Sequence, residues 1–229
     1  MVTIIDYGIG NLRSIEKAFE AVGADVLRTD DPGAIAEAER VVLPGVGAFG
    51  ACADEIRRRD LEGPILDAIE AGKPFLGVCV GMQLLFEESE EMGSHQGLGV
   101  LPGRIVRFAG RPEPVLAGEA IGAVASGVVT DEDDFAPKPL KVPHMGWNTL
   151  SPTRDSALLE GIGEEAYVYF VHSYHAFAER TSDVLATTTY GVDFPAIVER
   201  NNVFGVQFHP EKSQRNGLRI LRNFSTLAF

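Results

Sequence analysis

Pro74-Phe75-Leu76-Gly77-Val78-Cys79-Val80-Gly81-Met82-Gln83 decides how this chain folds. An apolar run ends in Gly-x-Cys-x-Gly, and a helical pattern starts near Met82. This pattern predicts a strand, a sharp turn and a helix, the nucleophile elbow with sulfur in place of a hydroxyl. Small residues two before and two after the cysteine let neighbouring backbone pass close to a strained turn. A thiol held there sits at a helix N-terminus, where the dipole and free N–H groups lower its pKa. A lone cysteine is more often a buried structural residue. The flanking glycines and the strand-to-helix context make Cys79 the candidate nucleophile, whereas Cys52 lacks that context and reads as structural.

Outward from this stretch the same alternation continues. Val2–Ile5 and residues 41–43 are continuous apolar runs, the second stopping at Pro44-Gly45, and residues 26–27 form a shorter one. Leu12, Ile15, Phe19 and Val22 recur at helical spacing before Gly23, and Ile65, Leu66 and Ile69 do so before Gly72. Strands alternating with helices predict right-handed crossovers and an α/β fold: a doubly wound parallel sheet with helices on both faces. From Arg104 to Val206 the runs are β-like: 105–108, Tyr167–His172, 184–189, 196–199 and 203–208, divided by turn residues such as Gly191, Asp193 and Asn201-Asn202. Some of these are expected to be antiparallel, extending the sheet or forming a side sheet. A last helix over about 214–227 places Leu218, Leu221 and Phe224 on one face. The stretch 109–139, rich in Pro, Gly, Ala and acids, reads as a surface insertion with a short hairpin around 121–129. No internal repeat is evident, so residues 1–229 are expected to form one domain.

Composition narrows the class. The 229 residues carry 20 basic and 33 acidic side chains, a net charge of −13. That balance speaks against nucleic acid, whose affinity comes from Lys and Arg on phosphates, and against an anionic membrane surface. Hydrophobic residues at 45% and charged ones at 23% are ordinary for a globular protein. Two cysteines cannot build a disulfide framework, which points to a reducing, cytoplasmic setting. Asp6 interrupts the first apolar run, so the N-terminus does not read as a signal peptide. No apolar stretch approaches the ~18 residues of a membrane span.

A thiolate nucleophile needs an imidazole partner. His209, in Val206-Gln207-Phe208-His209-Pro210-Glu211, follows a strand. Glu211, two residues on, falls on the same side if the chain stays extended, and a carboxylate there orients the imidazole. Acyl transfer also needs oxyanion donors. Pro44-Gly45-Val46-Gly47 ends the third strand and reaches the same carboxyl edge of the sheet. Gly45, Val46 and Gly47 offer one backbone donor there, and the N–H of Val80 offers another.

With these motifs combined, the chain resembles the class I glutamine amidotransferases. Asp6-Tyr7-Gly8-Ile9-Gly10-Asn11-Leu12, Leu43-Pro44-Gly45-Val46-Gly47-Ala48-Phe49 and Pro143-His144-Met145-Gly146-Trp147-Asn148 are in addition similar to the glutaminase subunits of imidazole glycerol phosphate synthase. The resemblance covers nearly the whole chain apart from 109–139, where that family has only a few residues. It implies a three-layer, doubly wound mixed sheet on a flavodoxin-like core. It also implies a cytoplasmic glutaminase with no cofactor and no metal. Cys79 would attack the glutamine side-chain amide, with His209 as base then acid and Glu211 behind it. Gly47, Gln83, Glu91 and the segment His172-Ser173-Tyr174 would bind glutamine's amino-acid end. Asn11, Met145, Trp147, Tyr169 and Lys212 would face a separate (β/α)8 cyclase subunit that receives the ammonia in histidine biosynthesis. The family further implies that the Val46 peptide reorients when the liganded partner is bound.

Competing readings are weaker. Gly8-Ile9-Gly10-Asn11-Leu12-Arg13 after the first strand has the start of a dinucleotide-binding turn, but Arg13 replaces the third glycine. His172 and His175, three apart on one strand, would point to opposite faces, which argues against a shared metal ion. Glu87, Glu88 and Glu90 read as a solvated helix face. Alternatives to the histidine-pathway subunit are a glutaminase of a pyridoxal phosphate or anthranilate synthase, a partner-free γ-glutamyl hydrolase, and a non-catalytic module that has kept the fold.

Overall fold

The computed structural model describes residues 1–108, 140–163 and 165–227. The expected insertion at 109–139, with its hairpin, lies outside them. The first part alternates as its periodicity predicts: β1 (Val2–Ile5), α1 (Leu12–Ala21), β2 (Val26–Thr29), α2 (Pro32–Ala36), β3 (Val41–Gly45), α3 (Phe49–Arg58), α4 (Glu62–Glu70), β4 (Phe75–Cys79) and α5 (Val80–Gln83). Then follow β5 (Phe86–Ser89), β6 (His95–Gln96), β7 (Leu101–Arg107), β8 (His144–Thr149), β9 (Ser151–Pro152), β10 (Tyr167–His172), β11 (Tyr174–Ala178), β12 (Val184–Tyr190), β13 (Val192–Arg200), β14 (Val203–Val206) and α6 (Gln214–Thr226).

The main sheet has the order β2-β1-β3-β4-β14-β13-β12-β9. Its first five strands are parallel, and the last three antiparallel. Every residue of β1, β3, β4 and β14 is buried, which is why these segments read as unbroken apolar runs. Helices cover both faces, with α1 packed on α6 through Phe19 and Phe224. A side sheet, β11-β7-β5-β6, and an antiparallel ribbon of β8 with β10 complete the described residues. Both outcomes expected of the second half are therefore present.

The helical stretch after Cys79 is shorter than expected. It starts at Val80 and ends at Gln83. The carbonyls of Leu84, Leu85 and Phe86 accept from Leu98, Leu101 and Gly99 instead of from a further helical turn. The chain therefore opens into β5, whose Glu87 and Glu88 are exposed between buried Phe86 and Ser89. Glu87 and Glu88 therefore belong to a strand paired on both sides, and Glu90 follows it, so these acids do not form a helix face. Helices α2 and α3 add to the expected elements, and in α3 Phe49, Cys52, Ala53 and Ile56 lie buried at helical spacing.

The turn itself is close-packed. A Cβ on Gly77 would lie 2.5 Å from the Gly81 carbonyl oxygen, and one on Gly81 would collide with the carbonyl oxygen of Leu43. Gly81→Ala should destabilise the protein by about 1–3 kcal/mol or more, since backbone has to move; a urea unfolding midpoint that stays put would contradict this.

Beyond the turn lies an aromatic cluster. Phe108 packs on His172, His175, Tyr190 and Phe194, and His144 is stacked between Phe170 and Tyr190. His172 and His175 lie on consecutive strands, not on one strand, so the opposite-face argument about them does not apply. Burial lowers His144 to about 4, His172 to about 3, and His175 in the same direction. The folded state thus prefers neutral imidazoles while the unfolded chain protonates them near 6.5. Their contribution is complete above pH 6.5 and is lost as pH falls from there towards 4 and then 3. Thermal stability should decline steadily over that window, read by melting temperature in a buffer series.

Candidate active site

The carboxyl ends of β3, β4 and β14 are adjacent, with Gly45 opposite Cys79 and Val206 opposite Val78. One edge of the sheet therefore gathers the loop after Gly45, the turn at Cys79 and the segment leading to His209. Cys79 is buried and has φ +55 and ψ −110, a backbone state costing about 1–3 kcal/mol that surrounding packing must hold. The glycines on either side make that packing possible.

His209 sits beyond β14, its backbone N–H donating to the Tyr169 carbonyl at 2.9 Å. Glu211 reaches it by a route different from the extended one expected. Pro210–Lys212 is a single 3-10 turn, and it brings Glu211 Oε1 to 3.0 Å from His209 Nδ1. Asn11 Nδ2 donates to the same oxygen at 3.3 Å. Burial alone would lower the His209 imidazole, but hydrogen bonds and charge from Cys79 and Glu211 outweigh it and raise it to about 10. Burial likewise works to raise Glu211, yet His209 and then Asn11 hold its carboxyl below the usual range.

Cys79 and His209 open onto a cleft of about 430 Å³. Val46, Gly47 and Val80 line it beside the thiol, and Gln83, Glu91, His172, Ser173, Tyr174 and Lys212 line the rest. Pro143, which opens the 143–148 motif, and Val171, which nothing in its local sequence marks, line it too. Glu91 Oε2 accepts the Phe49 N–H at 2.7 Å, so its carboxylate is held at the start of α3. The Val46 carbonyl accepts from the Cys52 thiol at 3.4 Å and that of Pro44 from the Tyr7 hydroxyl at 2.8 Å, anchoring the loop from behind. Gln83 donates to the Tyr174 carbonyl and to Gln207 Oε1. Gln207 is a site residue that its local sequence does not single out, although it precedes His209 by two residues; its amide nitrogen lies 3.9 Å from Cys79 Sγ. His172 borders the cleft with both ring nitrogens engaged inside the protein.

Gly45 and Glu211 stand behind the cleft wall, and Asn11 backs Glu211 instead of standing free at the surface. Met145 and Trp147 project from β8, 61% and 46% exposed. Trp147 lies edge-on to Tyr169, and Lys212 lies over the Tyr169 ring, so these residues form one surface beside the cleft. Among the described residues no three His, Cys, Asp or Glu side chains are placed to hold a metal ion, and no helix is long and apolar enough to cross a membrane.

The model of the class I glutamine amidotransferase family matches residues 3–227. The imidazole glycerol phosphate synthase subunit HisH of Salinibacter ruber is 63% identical, over 99% of this chain and 94% of its own. This chain belongs to the class I glutamine amidotransferases, in the HisH group. The HisH protein of Syntrophotalea carbinolica is 49% identical over 99% of this chain and all of its own. Among solved structures, a glutamine amidotransferase superimposes with a TM-score of 0.68 at 17% identity over 99% of both chains. A chain of the PurLQS structure from Thermotoga maritima does so with 0.65 at 17% identity, over 96% of this chain and 94% of its own. At that identity the likeness is one of fold.

In this amidotransferase the protonated His209 persists to about pH 10 partly through Glu211. Glu211→Gln removes that charge and should lower the imidazole pKa. Glutamate release should fall about 10²–10⁴-fold, with its alkaline limb moved to lower pH. An unmoved limb in the pH profile would contradict this role.

Proposed function

We propose that this amidotransferase hydrolyses glutamine to glutamate and ammonia and passes the ammonia to a (β/α)8 cyclase subunit that makes imidazole glycerol phosphate and aminoimidazole carboxamide ribotide. The observation that carries the reading is the strained Cys79 turn beside the Glu211-backed His209, both opening onto a cleft that Glu91 also lines. Cys79 sulfur attacks the side-chain amide carbon as His209 holds the thiol proton. The oxyanion that forms lies towards the backbone N–H groups of Val80 and of the Gly45–Gly47 loop. His209 gives the proton to the amide nitrogen, the C–N bond breaks and ammonia leaves. Water, deprotonated by His209, then cleaves the thioester to release glutamate. Glu91 suits the substrate ammonium, and Gly47, Gln83, Ser173 and Tyr174 its carboxylate end.

The interface reading has its own support. Met145 and Trp147 stand exposed on the ribbon beside the cleft, with Tyr169, Lys212 and Asn11 close by. A γ-glutamyl hydrolase working alone has no need to present them. The names of the relatives favour the histidine-pathway synthase over the other synthases. Residues 1–229 are read as one amidotransferase domain.

Cys79→Ala separates the two half-reactions. Mixed with the cyclase subunit, it should lose glutamine-dependent product entirely while product from added ammonium salt is retained. Loss of both activities would overturn the division of labour.

A further inference from the structure

The direction of one hydrogen-bond chain, half-buried at Asn148 and buried at His144 and His172, points to further positioning residues. Asn148 Oδ1 accepts the Thr149 N–H at 2.9 Å, which turns its amide nitrogen towards the Thr189 carbonyl at 2.9 Å and His144 Nε2 at 3.3 Å. His144 Nε2 must therefore accept, and the ring proton of a neutral His144 lies on Nδ1. That nitrogen is 3.1 Å from His172 Nε2, which must accept in turn. The His172 proton then lies on Nδ1, 2.8 Å from the Tyr174 carbonyl. A carbonyl can only accept, so the far end demands the same assignment that the near end imposes. One proton arrangement satisfies all four groups, and reversing any ring leaves two donors or two acceptors face to face.

The chain ends at the cleft. The Tyr174 carbonyl that receives His172 also receives Gln83 Nε2 at 3.0 Å, and Gln83, His172 and Tyr174 all line the pocket. Its start lies on β8, where His144 alternates with exposed Met145 and Trp147. His144 and His172 are themselves cross-strand partners in the ribbon.

We propose that Asn148, His144 and His172 form a one-way hydrogen-bond relay that fixes the Tyr174 carbonyl and, through it, Gln83 at the wall of the glutamine pocket. The inference rests on the glutaminase reading of that pocket. These three are positioning residues: none bonds to Cys79, and their loss affects substrate binding before chemistry. Because β8 carries the relay inward and Trp147 outward, a partner pressing on the ribbon moves the relay's donor end.

Two measurements on the full chain test this. In protein labelled with ¹⁵N-histidine, long-range proton–nitrogen correlation at neutral pH should show His144 and His172 both neutral with the proton on Nδ1. An Nε2–H tautomer at either residue overturns the relay. For function, His144→Phe keeps the stacking on Phe170 and Tyr190 but has no nitrogen, and Asn148→Leu removes the first donor together with its bonds to Thr149 and Thr189 and serves if the first variant does not fold. Each should raise the glutamine KM about tenfold, the scale of one misplaced hydrogen bond, with kcat within about threefold and the melting temperature little changed. A folded variant with unchanged KM, or one in which kcat alone falls, overturns the proposal. Glutamine affinity by calorimetry in the Cys79→Ala background should fall by the same factor, and an unchanged affinity overturns it too. If the unaltered chain, with or without the cyclase, releases no glutamate, the glutaminase reading fails instead, while the tautomers still decide the relay.

Discussion

The active edge depends on how closely the turn after Cys79 approaches the end of β3. Gly81 lies against the Leu43 carbonyl, and Gly77 against Gly81. That contact admits no side chain, and it lets Gly45 stand opposite Cys79 in the sheet register. With a larger residue at Gly81, β3 and β4 would separate at their carboxyl ends, and with one at Gly77 the turn itself would open. The loop carrying Val46 would then no longer border the thiol. The positive φ of Cys79 is the local cost of the same geometry, balanced by burial of β4 on both faces.

Four of the five histidines fall into two environments, and the difference explains which of the four can move a proton. His209 has a thiol on one side and a carboxylate on the other, so its protonated form is held to about 10 despite burial. His144, His172 and His175 are buried among aromatic rings with no carboxylate of the described residues bonded to them, and burial pushes all three down. At neutral pH the first can act as a general acid, whereas the others are fixed dipoles. A neutral imidazole with one donor and one acceptor transmits direction along a hydrogen-bond chain, which an imidazolium with two donors cannot do.

Much of this architecture is legible in the chain. The runs at Val2–Ile5, 41–43 and 74–78 are legible because buried parallel strands need no alternation. Cys79, His209 and Glu211 are legible because their spacing relative to strand ends is a chemical requirement. The length of α5 is not, since its end is decided by pairing of the Leu84, Leu85 and Phe86 carbonyls with residues 98–101, beyond the reach of a local pattern. An extended chain places Glu211 beside His209 for the wrong reason, because proline at 210 starts a 3-10 turn as readily as it continues an extended segment. Gln207 and the relay are hidden for a different reason. Most of their contacts join residues far apart in the chain, and polarity alone does not separate a buried amide from a solvated one.

The ribbon of β8 and β10 joins the outer surface to the pocket by alternation alone. Side chains two apart share a face and neighbours oppose it, so His144 turns inward where Met145 turns outward. β10 is paired to the same strand and runs from Tyr167 into the cleft at Val171 and His172. A displacement of β8 therefore has two routes to the pocket, one through the ladder to β10 and one through the imidazoles to Tyr174. Both end on the segment His172-Ser173-Tyr174, where small shifts decide whether backbone groups meet a substrate. Trp147, exposed on that ribbon, is thus joined through β8 to the groups that position the glutamine.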